Sequence, residues 1–231
     1  MGAPWTDLRE AIAALRVTVP DSFESQVRQY LTTLARWERA GRLTGYRDLG
    51  AQVRHLVIES LMLLSVVPAP GAPLLDIGTG AGVPGLILKL ARPDWRVALM
   101  EAGRRRANFL RDAARTLGMT GLAIHHGRAE SLAGSLGERF RTVTMRAVVD
   151  PGRGARLARP FLEPDSVLIM TLGPAAAPES GEIREVTLAP AGDLPGRRRF
   201  LIMRRAEIDA AVSRGTVRTH DRGGEPERRR R

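Results

Sequence analysis

Three features of the sequence predict an α/β chain: a mostly parallel sheet behind an N-terminal helical extension. Short apolar runs alternate with helical patterns between about residues 72 and 205, the rhythm of a parallel sheet covered on both faces. The first of those runs passes through a glycine-rich turn directly into a helix. Before them, the first 68 residues carry only helical periodicity.

Taken in order, Ser22 is placed to cap a helix whose apolar stripe is Phe23, Val27, Tyr30, Leu31, Leu34 and Trp37, ended by Gly41. A second helix carries Val53, Leu56, Val57, Leu61 and Leu64 and stops before Pro68. Residues 74–77, 95–100, 122–126, 142–147 and 166–172 read as strands, with helices over 83–91 and 104–117 between them. The runs 182–189 and 197–205 read as closing antiparallel strands. From residue 213 the chain is rich in Arg, Gly and Glu and is expected to be disordered. The expected organisation is therefore a helical region (1–68), a sheet domain (69–212) and a basic tail (213–231).

Composition narrows the function. With 231 residues and 43% hydrophobic content the chain can bury a sizeable core. No stretch approaches the roughly 18 apolar residues of a membrane helix, and the N-terminus lacks a basic-then-apolar signal pattern. A cytoplasmic monomer is expected. The absence of cysteine excludes disulfides, zinc–thiolate sites and a cysteine nucleophile, and His125 and His126 are not spaced as a metal pair, so no metal is expected. The net charge of +11, nearly all of it arginine, attracts polyanions. It is clustered at Arg104–Arg106, Arg197–Arg199 and Arg228–Arg231.

The sharpest local signal is Leu74-Leu75-Asp76-Ile77-Gly78-Thr79-Gly80-Ala81-Gly82-Val83-Pro84-Gly85. Glycines suit a sharp turn that a ligand approaches closely. Glu101, at the end of the next strand, is placed to accept from a ribose diol. Residues 80–85 also fit the dinucleotide fingerprint G-x-G-x-x-G. Asp76 favours a different cofactor: a carboxylate there would repel a pyrophosphate but suits the cationic S-adenosylmethionine. D-x-G-x-G-x-G resembles the first motif of class I, Rossmann-like S-adenosylmethionine-dependent methyltransferases. The chain lacks an N/D-P-P-Y/F motif for exocyclic amines, Asp150-Pro151-Gly152 being the nearest run, and lacks the thiol that a pyrimidine carbon needs. A ring nitrogen such as guanine N7 carries an in-plane lone pair and needs orientation rather than a base.

Further motifs extend the likeness from about residue 30 to 172. They are Trp37-Glu38-Arg39-Ala40 with Leu43-Thr44, Arg47-Asp48, Arg54-His55-Leu56, Glu59-Ser60 and Ala91-Arg92-Pro93-Asp94. Arg105 with Asn108-Phe109-Leu110-Arg111, Gly127-Arg128-Ala129-Glu130 and Met145-Arg146-Ala147 continue the series in order. In these the chain resembles the RsmG (GidB) family, which forms 7-methylguanosine in bacterial small-subunit ribosomal RNA. The resemblance implies S-adenosylmethionine as cofactor, and small-subunit RNA or the assembled subunit as partner. It implies donor contacts from Gly78 and Val83, with Ala129 and Glu130 bordering the adenine, alongside Asp76, Gly80, Gly82 and Glu101. Arg146 would line the meeting point of donor and guanine as the catalytic residue, holding O6 or a phosphate. Arg54, Arg105, Arg128 and Arg153 are expected on the RNA side, whereas His55 reads first as a packed residue. Leu172 stands where the family has a lysine, Glu38 and Arg42 where it has asparagines, and Val148 where it has an aromatic. These departures leave open a different acceptor, another RNA or a small molecule, and a non-catalytic RNA-binding relative.

Overall fold

The computed structural model describes residues 4–137, 139–146, 150–173, 176, 178–188 and 196–213. Its strands are β1 (Leu74–Ile77), β2 (Val97–Glu101), β3 (Leu122–His126), β4 (Phe140–Met145), β5 (Leu162–Leu172), β6 (Glu182–Thr187) and β7 (Arg197–Arg204). They form one seven-stranded sheet in the order β3-β2-β1-β4-β5-β7-β6. β1 to β5 are parallel; β7 is antiparallel to both of its neighbours, β5 and β6. The two closing strands pair antiparallel, as the sequence suggests, and because β7 enters between β5 and β6 it returns β6 to the common direction.

β1 is buried along its whole length, as a central parallel strand must be. Its side chains alternate between two cores. Leu74, Leu99, Ile169 and Ile202 pack with the N-terminal helices, while Leu75, Met100, Val143, Leu168 and Met170 pack on the opposite face. Helices α1 (Pro4–Leu15) and α2 (Phe23–Glu38) precede a continuous helical run made of α3 (Leu49–Gln52), a π-turn (Val53–Ile58) and α4 (Glu59–Leu64). These cover the face that also carries α5 (Gly85–Ala91) and α6 (Arg104–Thr116). The other face is closed by α7 (Ala129–Leu132), α8 (Pro151–Ala158) and α9 (Arg205–Ser213). Consecutive crossovers thus leave β1 and β4 to opposite faces, which opens a crevice at the carboxyl edge between these strands.

Several local readings change. Ser22 does not cap α2; its hydroxyl lies near the Gln26 side chain instead. The second helix begins four residues early, because the Asp48 carboxylate accepts the Ala51 N–H at 2.7 Å and caps it there. Asp150-Pro151-Gly152 is likewise a helix start, with Asp150 accepting the Arg153 N–H and Pro151 in the first turn of α8. The tail expected from residue 213 falls outside the described residues beyond Ser213. No helix among the described residues is long and apolar enough to cross a membrane.

Candidate active site

The glycine loop leaves β1 at the crevice. Gly78, Gly80 and Gly82 have φ of +73°, +61° and +90°, values that L side chains rarely adopt. They divide the work. A Cβ on Gly80 would meet nothing nearer than the Gly78 carbonyl at 4.0 Å, so its outer side is an open cradle. A Cβ on Gly82 would strike Leu86 and Leu110. One on Gly85 would come within 2.4 Å of Leu99 Cδ2 and 2.7 Å of Asp76 Cβ. Gly80 leaves open space beside the loop, whereas Gly82 and Gly85 let α5 press onto the sheet. Val83 is largely buried, packed in the core under the loop.

Asp76 is corrected most. It is fully buried, with Oδ2 accepting the Gly85 N–H at 2.8 Å and Oδ1 accepting the Thr144 hydroxyl at 2.9 Å. Burial pushes its carboxyl up to about 6, although both hydrogen bonds favour the charged form. It ties the start of α5 to β4. Glu101 takes the outward role. Its Oε2 accepts the Gly80 N–H at 2.9 Å and its Oε1 the Gly103 N–H at 2.7 Å, with Arg106 3.7 Å away. The carboxylate is fixed beside the cradle and keeps lone pairs for a diol. Carboxylate, free backbone and open space together fit S-adenosylmethionine.

Farther along the edge, Ala129 is buried at the start of α7. Glu130 and Arg153 are exposed and lie 3.8 Å apart, and Arg128 is exposed beside them.

The opposite side of the crevice comes from distant segments. In the π-turn the Glu59 N–H bonds to the Arg54 carbonyl, so it does not take the His55 carbonyl. That carbonyl accepts from Arg146 Nη1 at 2.6 Å instead. The other Arg146 amine, Nη2, is 3.8 Å from Glu59 Oε2, while Glu59 Oε1 accepts from Arg198 Nη2 and contacts His55 Nδ1 at 2.7 Å. Tyr46 stacks on the His55 ring at 4.5 Å. Glu59, Ser60, Pro84, Arg146, Thr171 and Arg198 line one small pocket, which joins this cluster to the glycine loop. Burial opposes ionisation of Glu59, yet the Arg198 and His55 bonds hold its carboxyl below the usual value. Arg146 is thus where the sequence expects it, at the end of β4, but in company that no local pattern announces. Glu59 and Arg198 are missed because their partners lie 139 residues apart in the chain.

A model of the family "rRNA small subunit methyltransferase G", GidB, matches residues 23–188. The chain belongs to the GidB family. Its curated relatives include the ribosomal RNA small subunit methyltransferase G of Nitrosospira multiformis, 35% identical over 67% of this chain and 70% of that protein. The protein of the same name from Sorangium cellulosum is 36% identical over 75% of this chain and 74% of its own length. Among solved structures, TrmN from Thermus thermophilus matches at 20% identity over 64% of this chain and 48% of that one, with a TM-score of 0.49. So loose a likeness adds nothing to the strand order itself.

Within the GidB family the departures take on structural meaning. Leu172 is buried in the core at the end of β5, opposite Arg199 of β7. Glu38 organises the turn after α2, where its carboxylate accepts the Thr44 N–H and hydroxyl at 2.9 Å. Arg42 donates to the Gly45 carbonyl. Val148 and Ala147 lie outside the described residues. Arg105, expected at the RNA, is occupied elsewhere: Nη2 donates to the Trp37 and Gly41 carbonyls at 2.6 and 2.7 Å and ties α6 to the end of α2. Arg54 is turned toward the buried Asp7, 3.9 Å away. Tyr30 is a further missed residue. Its fully buried hydroxyl donates to the Ala81 carbonyl at 2.7 Å and ties α2 to the loop, and burial raises its pKa, keeping it a neutral donor.

Proposed function

We infer that this chain transfers the methyl group of S-adenosylmethionine to guanine N7 in small-subunit ribosomal RNA, as naked RNA or in the assembled subunit. The observation that carries the donor assignment is the buried Glu101 carboxylate, fixed by two backbone N–H groups beside the open face of Gly80. The acceptor reading is supported by the names of the family and its relatives, by the net charge of +11, and by exposed Arg104, Arg128 and Arg153 around the crevice.

Glu101 accepts from the ribose hydroxyls, Gly78 and Gly80 leave room for the donor's chain, and Ala129 and Glu130 border the adenine. When bound, S-adenosylmethionine supplies an electrophilic methyl on a sulfonium. Arg146 holds guanine O6 or a neighbouring phosphate, leaving the N7 lone pair free to attack; a donor hydrogen bond to N7 itself would block it. N7 carries no proton, so orientation and exclusion of water suffice without a general base.

The test is methyl transfer from labelled S-adenosylmethionine to small-subunit RNA, and to intact subunits from a host lacking the modification, followed by digestion to nucleosides. Label in 7-methylguanosine is expected. Label in another nucleoside, or none with donor binding intact, would overturn the acceptor and leave the fold assignment standing.

A further inference from the structure

Two guanidiniums, Arg146 and Arg198, converge on the Glu59 carboxylate, and the buried Asp76 carboxylate also acts on Arg146. The bonding at Glu59 is unbalanced. Glu59 Oε1 receives both Arg198 and His55, whereas Oε2 has only Arg146, at 3.8 Å, beyond hydrogen-bonding range. Arg146 engages the His55 carbonyl and Arg198 the Arg197 carbonyl and Glu59, so each keeps unused N–H donors. The pocket that Arg146 and Arg198 share with Glu59 also touches Pro84 of the glycine loop. A purely structural ion pair would leave neither the unfilled Oε2 nor the free donors.

We propose that Glu59 is a built-in competitor for the acceptor: its carboxylate holds, in the RNA-free protein, the place between Arg146 and Arg198 that a phosphodiester oxygen of the RNA takes in the productive complex. This rests on the RNA reading above. A phosphodiester carries one negative charge, as the carboxylate it replaces does, and its two free oxygens suit guanidinium forks. Glu59 keeps both arginines oriented and lowers their affinity for RNA; it is a positioning residue and touches no reacting atom.

The test measures anisotropy binding of a fluorescently labelled small-subunit RNA transcript as a function of salt, for the wild type, Glu59→Gln and Arg198→Gln, with thermal melts and donor calorimetry alongside. Glu59→Gln is expected to bind RNA roughly tenfold tighter at low salt, and to steepen the slope of log K against log salt by about 0.7–0.9, because the phosphate contact is no longer offset by the carboxylate it displaces. Arg198→Gln is expected to weaken binding and flatten the slope by a similar amount, and to diminish the gain from Glu59→Gln in the double variant. Unchanged or weaker RNA binding by a folded Glu59→Gln protein, with its slope unmoved, would overturn the proposal. Should that variant not fold, an unmoved slope in Arg198→Gln would overturn it instead. A wild type with no affinity for the transcript would overturn the RNA reading itself and this proposal with it.

Discussion

The two walls of the crevice are built differently. The donor wall consists of residues 76–85 and Glu101, held by backbone N–H groups, glycine conformations and a buried carboxylate. The proposed acceptor wall draws His55 from the π-turn, Glu59 from the start of α4, Arg146 from the end of β4 and Arg198 from β7, and is held by charge contacts. The first is preorganised by covalent geometry and close packing. The second is assembled by electrostatics, and under the proposal above its residues exchange partners when an anion arrives. The departures from the family pattern at Leu172, Glu38 and Arg42 all lie off the donor wall.

The contrast breaks most severely at Gly85. In Gly85→Ala the added Cβ sits 2.4 Å from Leu99 and 2.7 Å from Asp76. The cost is expected at or above the upper end of the roughly 1–3 kcal/mol of core overpacking. Donor binding and thermal stability should fall together, and a normal melting temperature would contradict the packing role. Arg146→Ala should do the reverse, lowering methyl transfer about 100-fold through misplacement of the acceptor while donor affinity by calorimetry stays within about twofold. Glu101→Gln removes the charged acceptor and should weaken donor binding roughly 10- to 100-fold, with RNA affinity preserved.

Asp76 sharpens the comparison through pH. Its carboxyl titrates near 3.8 when unfolded and about 6 when folded, so between these values the unfolded chain ionises first. This group's contribution to stability is therefore greatest below pH 3.8, falls as pH rises to about 6 and is flat above. Asp76→Asn should flatten that part of the melting-temperature profile and still bind the donor; a profile parallel to the wild type would refute the assignment. The smallest effect is expected for Tyr30→Phe, which loses one hydrogen bond to the Ala81 carbonyl, about 1 kcal/mol, seen in melting and as a modest loss of donor affinity.

How far the sequence reached follows the same division. The glycine loop was legible because three positive φ values, a close helix approach and an acid at the next strand's end all leave their mark within 26 residues, from Asp76 to Glu101. Strand positions were legible because parallel strands buried on both faces are continuous apolar runs. Charged residues were read less well, since a side chain's type does not say where it points. Asp76 and Arg105 carry charges that the sequence assigns to ligands, and the fold turns both inward onto backbone groups. Backbone hydrogen bonding also hid the π-turn, whose shifted register frees the carbonyl that seats Arg146.

By itself, then, the sequence determined the α/β architecture, the donor loop and the family, because these rest on local periodicity, glycine placement and ordered motifs. Only the tertiary structure decided which carboxylate is buried beneath the loop and which lies beside Gly80, that β7 alone runs against the sheet, and that Glu59 stands between Arg146 and Arg198. Those outcomes depend on pairings between segments far apart in the chain, and such pairings are set by how the two cores close.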